Sequence, residues 1–468
     1  MTSLLVTALV DPSRHSGRQT QASSLEKHNP RSGDATPWPQ RYSIERIRSA
    51  LLWLTALSSA FVFIEPGPYE VVSCLTMFVF ASTGLSLRAS LMPLALMLIL
   101  CNFGFSVSVA LILGDHRAET WVLISWYLSA TAIFYAAVVV SDTARRLELI
   151  VHGNMLAAIV ASLAGIIGFF HLIPGLSDFF LRYDRVRGTF NDPNVLGAFL
   201  VFPALIALQR VLVDRFADTV RNASILILFM ITLLLTFSRA AWGQFVASAA
   251  LMMILMLITS RSKRQRMRIV AFTLVSVVAV TALIVALLSI EQVGRLFWER
   301  ASLEQRYDVG PLGRFGRQAL GALMVLDHPL GIGPLQFTQF FPEDPHNAYL
   351  DSFLAGGWLS GVSYAAAMVV TLIVGLQFVF VATPWRQTYT AVYAAFFGVF
   401  GESAIIDSNH WRHYFLLLGL AWGLMTASRS YLAAPIAPPS QGRLAGGPLS
   451  TRVTAIPRVR SASSESAS

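Results

Sequence analysis

Charge is scarce in this chain and lysine almost missing from it. Only 13% of its 468 residues are Asp, Glu, Lys or Arg, and the lysines are Lys27 and Lys263 alone. With 55% hydrophobic residues and a mean hydropathy of +0.59, so little charge excludes a soluble globular protein of this length and marks a polytopic membrane protein. Cysteine is as rare: Cys74 and Cys101 both fall inside apolar runs, where they read as packing residues and not as a disulfide. The chain also lacks a D-x-D pair for a metal-bound nucleotide sugar, a phosphate-cradling P-loop, a His/Cys cluster with metal-ligand spacing and a G-x-S-x-G elbow. No metal, cofactor or nucleic-acid partner is therefore expected.

What the chain has in abundance is apolar stretches of membrane-spanning length. Twelve candidate spans, each of roughly the 17–25 residues that a hydrocarbon core requires, run at about 45–64, 69–87, 90–113, 119–140, 149–173, 194–213, 222–238, 240–259, 269–290, 359–381, 388–406 and 411–428. Almost no loop separates the seventh from the eighth in "LLLTFSRAAWGQFV". Fusing them would throw the basic block "RSKRQRMR" (261–268) to the outer side, against the tendency of Lys and Arg to remain cytoplasmic, so a tight hairpin is expected. Both termini are then cytoplasmic. Residues 1–43 and 429–468, polar and rich in Ser, Pro and Arg, read as disordered tails flanking a membrane domain at 44–428. Near the start, "LLVTALV" is too short to span and has no basic region ahead of it, which argues against a cleaved signal peptide. The expected fold is all-α and polytopic, with about twelve transmembrane helices and a large periplasmic loop, about 291–347, between the ninth and tenth.

Inside that loop "LGRFGRQALGALMVLDHP" reads as a short amphipathic helix on the outer surface, ended by Pro329, after which "GIGPLQF" turns the chain back. A second outer loop is "RYDRVRGTFNDPN", Arg182–Asn194. The topology places Arg117, Arg182, Arg185, Arg187, Arg239, Arg295, Arg300, Arg306, Arg314, Arg317 and Arg412 outside. Because lysine is rare everywhere, its absence there means nothing; position carries the weight. Outer basic clusters run against the positive-inside tendency unless something anionic is held there, and the planar fork of arginine suits phosphate oxygens. Arg239 is the sharpest case. Span seven is strongly apolar only from Ser224 to Phe237, so the "FSRAAW" turn should sit below the outer surface, where a guanidinium needs a partner. The candidates are lipid headgroups reached by snorkelling, a carboxylate such as Glu402 or Asp407, and a ligand phosphate.

Where the chain re-enters the membrane it reads "EDPHNAYLDSF", Glu343–Phe353. His346 is placed to be a base, although a lone histidine is as readily an interfacial hydrogen-bonding residue. His15 and His28 lie in the tail, and His152 and His171 look like helix-end residues. His116, His328, His410 and His413 face outward with His346, and position alone does not separate them.

Four stretches, "RVRGTFNDPNVLGAF" (185–199), "LLLTFSRAAWGQF" (233–245), "HPLGIGPLQF" (328–337) and "PHNAYLDSFLAGGWLSGV" (345–362), together resemble the O-antigen ligase and Wzy-type polymerase family of bacterial inner-membrane proteins. The resemblance covers roughly residues 180–370 by motif and most of 45–428 by topology. It implies that an oligosaccharide passes from an undecaprenyl diphosphate carrier to an acceptor hydroxyl on the periplasmic side without a metal or nucleotide sugar. The family's "R-G-T-F" arginine falls on Arg187, its "S-R" arginine on Arg239 and its "H-N" histidine on His346. Its further arginine ahead of the "HPLGIG" turn is matched by both Arg314 and Arg317.

Those positions suit the chemistry. Fixed guanidinium groups in a poorly solvated site can stabilise a diphosphate leaving group, which Arg187 and Arg239 would hold. A histidine can take the acceptor proton, with Asn347 orienting substrate. The acceptor could be another carrier-linked chain, lipid A core or a protein hydroxyl. The alternative class is a twelve-span transporter or lipid-linked oligosaccharide flippase. Transporters commonly show similar halves and charged or broken helices at mid-membrane, whereas here the halves are unequal and the polar residues collect at one face.

Overall fold

The computed structural model describes residues 38–63, 67–112, 114–214, 216–301, 310 and 312–434. The expected disordered tails lie almost wholly outside the described residues, as do residues 302–309 of the large loop. Two compact units divide the chain, Met1–Tyr431 and Leu432–Ser468; the described residues of the second are only the end of the last helix.

The long helices are α1 (Trp38–Ser58), α2 (Pro68–Gly84), α3 (Met92–Val109), α4 (His116–Ser141), α5 (Thr143–Phe169), α6 (Pro193–Val213), α7 (Phe216–Leu235), α8 (Arg239–Thr259), α9 (Lys263–Leu288), α12 (Ala348–Val379), α13 (Arg386–Glu402) and α14 (Arg412–Ala433), with the shorter α10 (Glu291–Ala301) and α11 (Arg314–Asp327) in the large loop. Each of the twelve apolar stretches falls on one of the long helices. Eight helices among the described residues are long and apolar enough to cross a membrane: α3 with the turn before it, and α4, α5, α6, α7, α8, α9 and α12. Of the others, α2 and α13 have 17 residues each, α1 carries Arg41, Glu45, Arg46 and Arg48 in its first half, and α14 carries Arg412 and Arg429 near its ends.

Burial sorts the helices. In α6, 89% of the apolar window lies inside the protein, whereas in α9 only 6% does. An all-round apolar helix that its own protein leaves bare, with Leu274, Val275 and Val278 all exposed, has its match in lipid hydrocarbon.

The helix starts are chemically marked. Asp115 caps α4, Asp192 caps α6 with Pro193 at its first position, Ser238 caps α8 and Asn347 caps α12, each side-chain oxygen accepting from a backbone N–H that the first turn leaves orphaned. Part of what reads as motif in "NDPN", "SR" and "HN" is therefore helix initiation. Contacts between loops gather these starts at one end of the helices: Thr189 O accepts from Val62 N at 3.0 Å, Arg185 Nε donates to Thr236 O at 2.7 Å, and Gln336 Nε2 donates to the Asp115 carboxylate at 2.7 Å. The hairpin expected between the seventh and eighth spans is there, as the turn Thr236–Ser238 with Phe237 at φ 48°.

The large loop returns through α11, where an amphipathic helix is expected, and then the "HPLGIG" turn. That turn docks on a glycine break in α12. Gly356 and Gly357 are non-helical, with Gly357 at φ 68°. Pro329 O accepts from Trp358 N at 3.0 Å, and Leu354 O accepts from Ile332 N at 2.7 Å. A Cβ on Gly357 would lie 2.3 Å from Pro329 O, and one on Gly331 would lie 2.6 Å from Gly357 N. Backbone meets backbone here, and only glycine permits both the approach and the left-handed φ. Gly357→Ala should therefore cost at least the ~1–3 kcal/mol of a residue held in a sparsely populated backbone region. Thermal unfolding of the detergent-solubilised protein checks this, and an unchanged midpoint would contradict the docking.

Candidate functional site

His346 sits at the end of the large loop, one residue before the cap of α12. Its backbone is in the left-handed region, φ 47°, an uncommon place for a non-glycine residue and one that tends to mark functional sites. Gln318 of α11 holds it there, donating from Nε2 to Pro345 O at 3.0 Å and His346 O at 3.1 Å. The ring faces Asp407, with Nδ1 3.0 Å from Oδ2. The other oxygen of Asp407 accepts from Asn347 N at 3.0 Å, so one carboxylate fixes both the ring and the backbone that carries it. The Asn347 side-chain oxygen is the helix cap, 3.0 Å from Leu350 N.

With Nδ1 on a carboxylate, Nε2 is the nitrogen that can exchange a proton with substrate, the arrangement of a carboxylate-oriented base. The side chain is 35% exposed, open enough to meet one. The hydrogen bond to Asp407 raises the His346 pKa above its ordinary value, opposed by partial burial. Asp344 next to it is raised as well, by burial and then by the Asp407 charge.

The other outward histidines separate from His346 on geometry. Burial lowers His410 to about 4, too weak a base near neutrality. His413 is buried, and Nε2 of its ring has no hydrogen-bond partner. His116 pairs with Glu119 on the exposed first turn of α4, and His328 Nδ1 faces Met324 O.

Arg317 is buried in α11, and its Nη2 lies 2.6 Å from Glu343 Oε2. Arg314, one turn earlier, is near enough for its charge to depress the His346 pKa. Arg187 and Arg239 belong to a second group. Arg187 follows a two-strand ribbon, β1 (Leu181–Arg182) with β2 (Arg185–Val186), and donates from Nη2 to Asp178 O at 3.2 Å. Arg239 is the first residue of α8 and partly buried. The two neighbourhoods are pinned together through Arg185, which bonds Thr236 O and, at 2.7 Å, Asn194 Oδ1. Of the two carboxylates expected as partners for Arg239, Asp407 holds His346 and Asn347, while both Glu402 oxygens are buried without a hydrogen-bond partner. The N-termini of α6 and α8 lie beside these cations, and that of α6 is already met by its capping carboxylate, Asp192, which is 3.6 Å from Arg182.

A cavity of about 570 Å³ is bounded by Phe190, Asn191 and Asp192 of the arginine loop and by Asp407 beside His346. The sequence reading did not assign Asp407 to His346. The signal available was an acid in "IIDSNHW" at the outer end of a span, the same side as the histidine. Among the described residues no group of three or more His, Cys, Asp or Glu could hold a metal ion.

Asp407→Asn should lower the His346 pKa, because an amide stabilises imidazolium less than a carboxylate does. Selective histidine NMR of the protein in nanodiscs checks this. Wild-type His346 should keep its proton to higher pH than an ordinary imidazole, and an unmoved titration in the variant would show that the pair does not set it.

Comparison with known families agrees with the motifs. Residues 223–365 match the family model described as O-antigen ligase. The matched segment holds Arg239, Arg314, Arg317, His346 and Asn347, and leaves Arg187 and Asp407 outside it. No curated protein matches the chain. Through residues 223–365 the chain is similar to the O-antigen ligase family.

Proposed function

We propose that this protein transfers or polymerises an oligosaccharide from an undecaprenyl diphosphate carrier onto an acceptor hydroxyl at the periplasmic face of the bacterial inner membrane, without a metal. The observation that carries the reading is the His346–Asp407 pair, 3.0 Å apart at the end where the arginines collect. The match of residues 223–365 to the O-antigen ligase family supports a polysaccharide ligase or polymerase and a lipid-linked donor.

In this reading the acceptor O–H gives its proton to His346 Nε2 as its oxygen bonds to the anomeric carbon. The bond from that carbon to the diphosphate breaks, and its electron pair stays on the phosphate oxygen. Charge develops on the diphosphate, where the fixed guanidinium groups of Arg187 and Arg239 take it. Of the two arginines of α11, Arg317 is ion-paired with Glu343 and ties the loop to α11, and Arg314 is near enough for its charge to act on His346; both stand as candidates for substrate. Asn347 has its oxygen in the cap and keeps its amide N–H groups for substrate. The base must be neutral to act, so activity should rise with pH through the raised His346 pKa, and Asp407 sets where that rise falls.

Binding and chemistry can be separated. Arg239→Ala should weaken donor binding and transfer together, and Arg239→Lys should rescue poorly because an ammonium cannot reproduce the fork. His346→Ala should leave the carrier lipid bound and lower turnover by about 10²- to 10⁴-fold. The check is lipid-donor binding beside transfer for each variant at equal protein level. Normal turnover in His346→Ala would reduce the histidine to an interfacial polar residue.

A further inference from the structure

The start of α9 is basic, with no acid set against it. From Arg239 beside the candidate site, α8 runs to Thr259, about 30 Å of helix, and the chain then turns through Ser260 into α9. Arg261, Lys263, Arg264, Arg266 and Arg268 follow within eight residues, and α13 starts against the same turn with Arg386. The sequence has no Asp or Glu from 219 to 290 or from 352 to 401. Asp214 and Asp218, which flank this turn's contacts on α6 and α7, are met by Asn222 at 3.1 Å and Arg221 at 3.4 Å.

Two of these cations serve the fold. Arg268 Nη2 donates to Val211 O and Thr219 Oγ1, each at 3.0 Å, and so ties α9 to α6 and α7; Arg266 Nε donates to Ser260 O at 2.9 Å. The others do not. Among the described residues Arg261, Lys263, Arg264 and Arg386 make no ion pair. Arg386 is half-buried, and Arg261 is near enough that its charge, after burial, lowers the Arg386 pKa. Like charges held together without a carboxylate leave a positive potential that an anion relieves.

Arg386 also lines a small cleft with Ser260, Gln265, Gln387 and Thr390. Its volume, about 10 Å³, is room for about one water-sized atom. The rim offers donors. Gln265 Oε1 accepts from Ser260 Oγ at 3.1 Å and Gln387 Oε1 from Gln209 Nε2 at 3.4 Å, so what either amide has left is N–H. One phosphate oxygen suits such a cleft, with the rest of the group outside it among the guanidinium forks. The helix above identifies the source of the phosphate. Only 6% of the apolar window of α9 lies inside the protein, and Met267, Val270 and Leu274, on one face directly above the cations, are exposed, which is a surface for acyl chains.

We propose that Arg261 and Arg386, with Lys263 and Arg264 beside them, form a binding site for the phosphate of an anionic phospholipid whose acyl chains lie along the bare face of α9. A zwitterionic headgroup would bring a cation of its own into the cluster and is disfavoured. The bound lipid holds the foot of a helix that the protein itself scarcely covers, so it should stabilise the fold. The site stands at the end of α8 opposite Arg239 and does not rest on the transferase reading.

The test uses the full-length protein in detergent with Arg261→Gln, Arg386→Gln and, as a control on charge alone, Arg88→Gln in the exposed loop between α2 and α3. The probes are dioleoylphosphatidylglycerol, dioleoylphosphatidylcholine and inorganic phosphate, read as Kd by native mass spectrometry and as the shift in unfolding midpoint. Wild type should bind phosphatidylglycerol roughly tenfold more tightly than phosphatidylcholine and unfold at a higher temperature with it. Arg261→Gln and Arg386→Gln should each weaken phosphatidylglycerol about tenfold, the loss expected for about one charge-assisted hydrogen bond, while Arg88→Gln binds it as wild type does. Neither arginine has a carboxylate partner, so midpoints without lipid should match wild type; if Arg386→Gln fails to fold, the exposed Arg261 decides alone. Equal Kd for the two lipids, phosphatidylglycerol binding unchanged in Arg261→Gln, or an equal loss in Arg88→Gln overturns the site. Inorganic phosphate bound as tightly as phosphatidylglycerol overturns the lipid as its occupant.

Discussion

Asp407 holds the candidate site together. Its two oxygens meet the His346 ring at 3.0 Å and the Asn347 N–H at 3.0 Å, so the histidine, the cap of α12 and the loop before α14 share one carboxylate. Around it the same segment is tied again, with Ala348 N donating to Ser403 O at 2.8 Å and Asn409 Nδ2 donating to Asp351 Oδ2 at 2.7 Å. A histidine at φ 47° persists only where its surroundings over-determine it. Here Gln318 grips the backbone from one side and Asp407 the ring from the other.

The second organising feature is that the arginines form two groups. Arg185 and Arg187 gather with the starts of α6 and α8, and Arg314 and Arg317 lie with Glu343 and Asp407 around His346. The cavity is bounded by Asn191 and Asp192 of the first loop and by Asp407 beside His346. The "HPLGIG" turn and the glycine break of α12 belong to the scaffold. Their backbone contacts set the height at which the large loop rejoins the helices, and so the height of His346.

How much of this the sequence discloses depends on the range of the physics involved. Apolar runs are local, so each of the twelve stretches lands on a helix. Their edges are partly legible: the start expected at 359 agrees with the break at Gly356–Gly357, beyond which the second part of α12 runs to Val379, while the part from Ala348 to the break lies ahead of the apolar pattern. Arg187, Arg239 and His346 are legible because each sits in a short motif that also starts or precedes a helix. Asp407 is not, being 61 residues beyond His346 in sequence with nothing local to pair them. The cavity is legible nowhere in the chain, since its wall draws on α1, α2, α4, α5, α6 and α14 at once. Arg314 and Arg317 are alike in sequence; in the structure Arg317 is buried and paired with Glu343.

If guanidinium groups stand where many glycosyltransferases place a metal, and a carboxylate-held histidine takes the proton, purified protein should transfer glycan from the carrier lipid to acceptor in excess EDTA at an undiminished rate, unaffected by added magnesium or manganese. A rate that vanishes in EDTA and returns only with a divalent ion would contradict it.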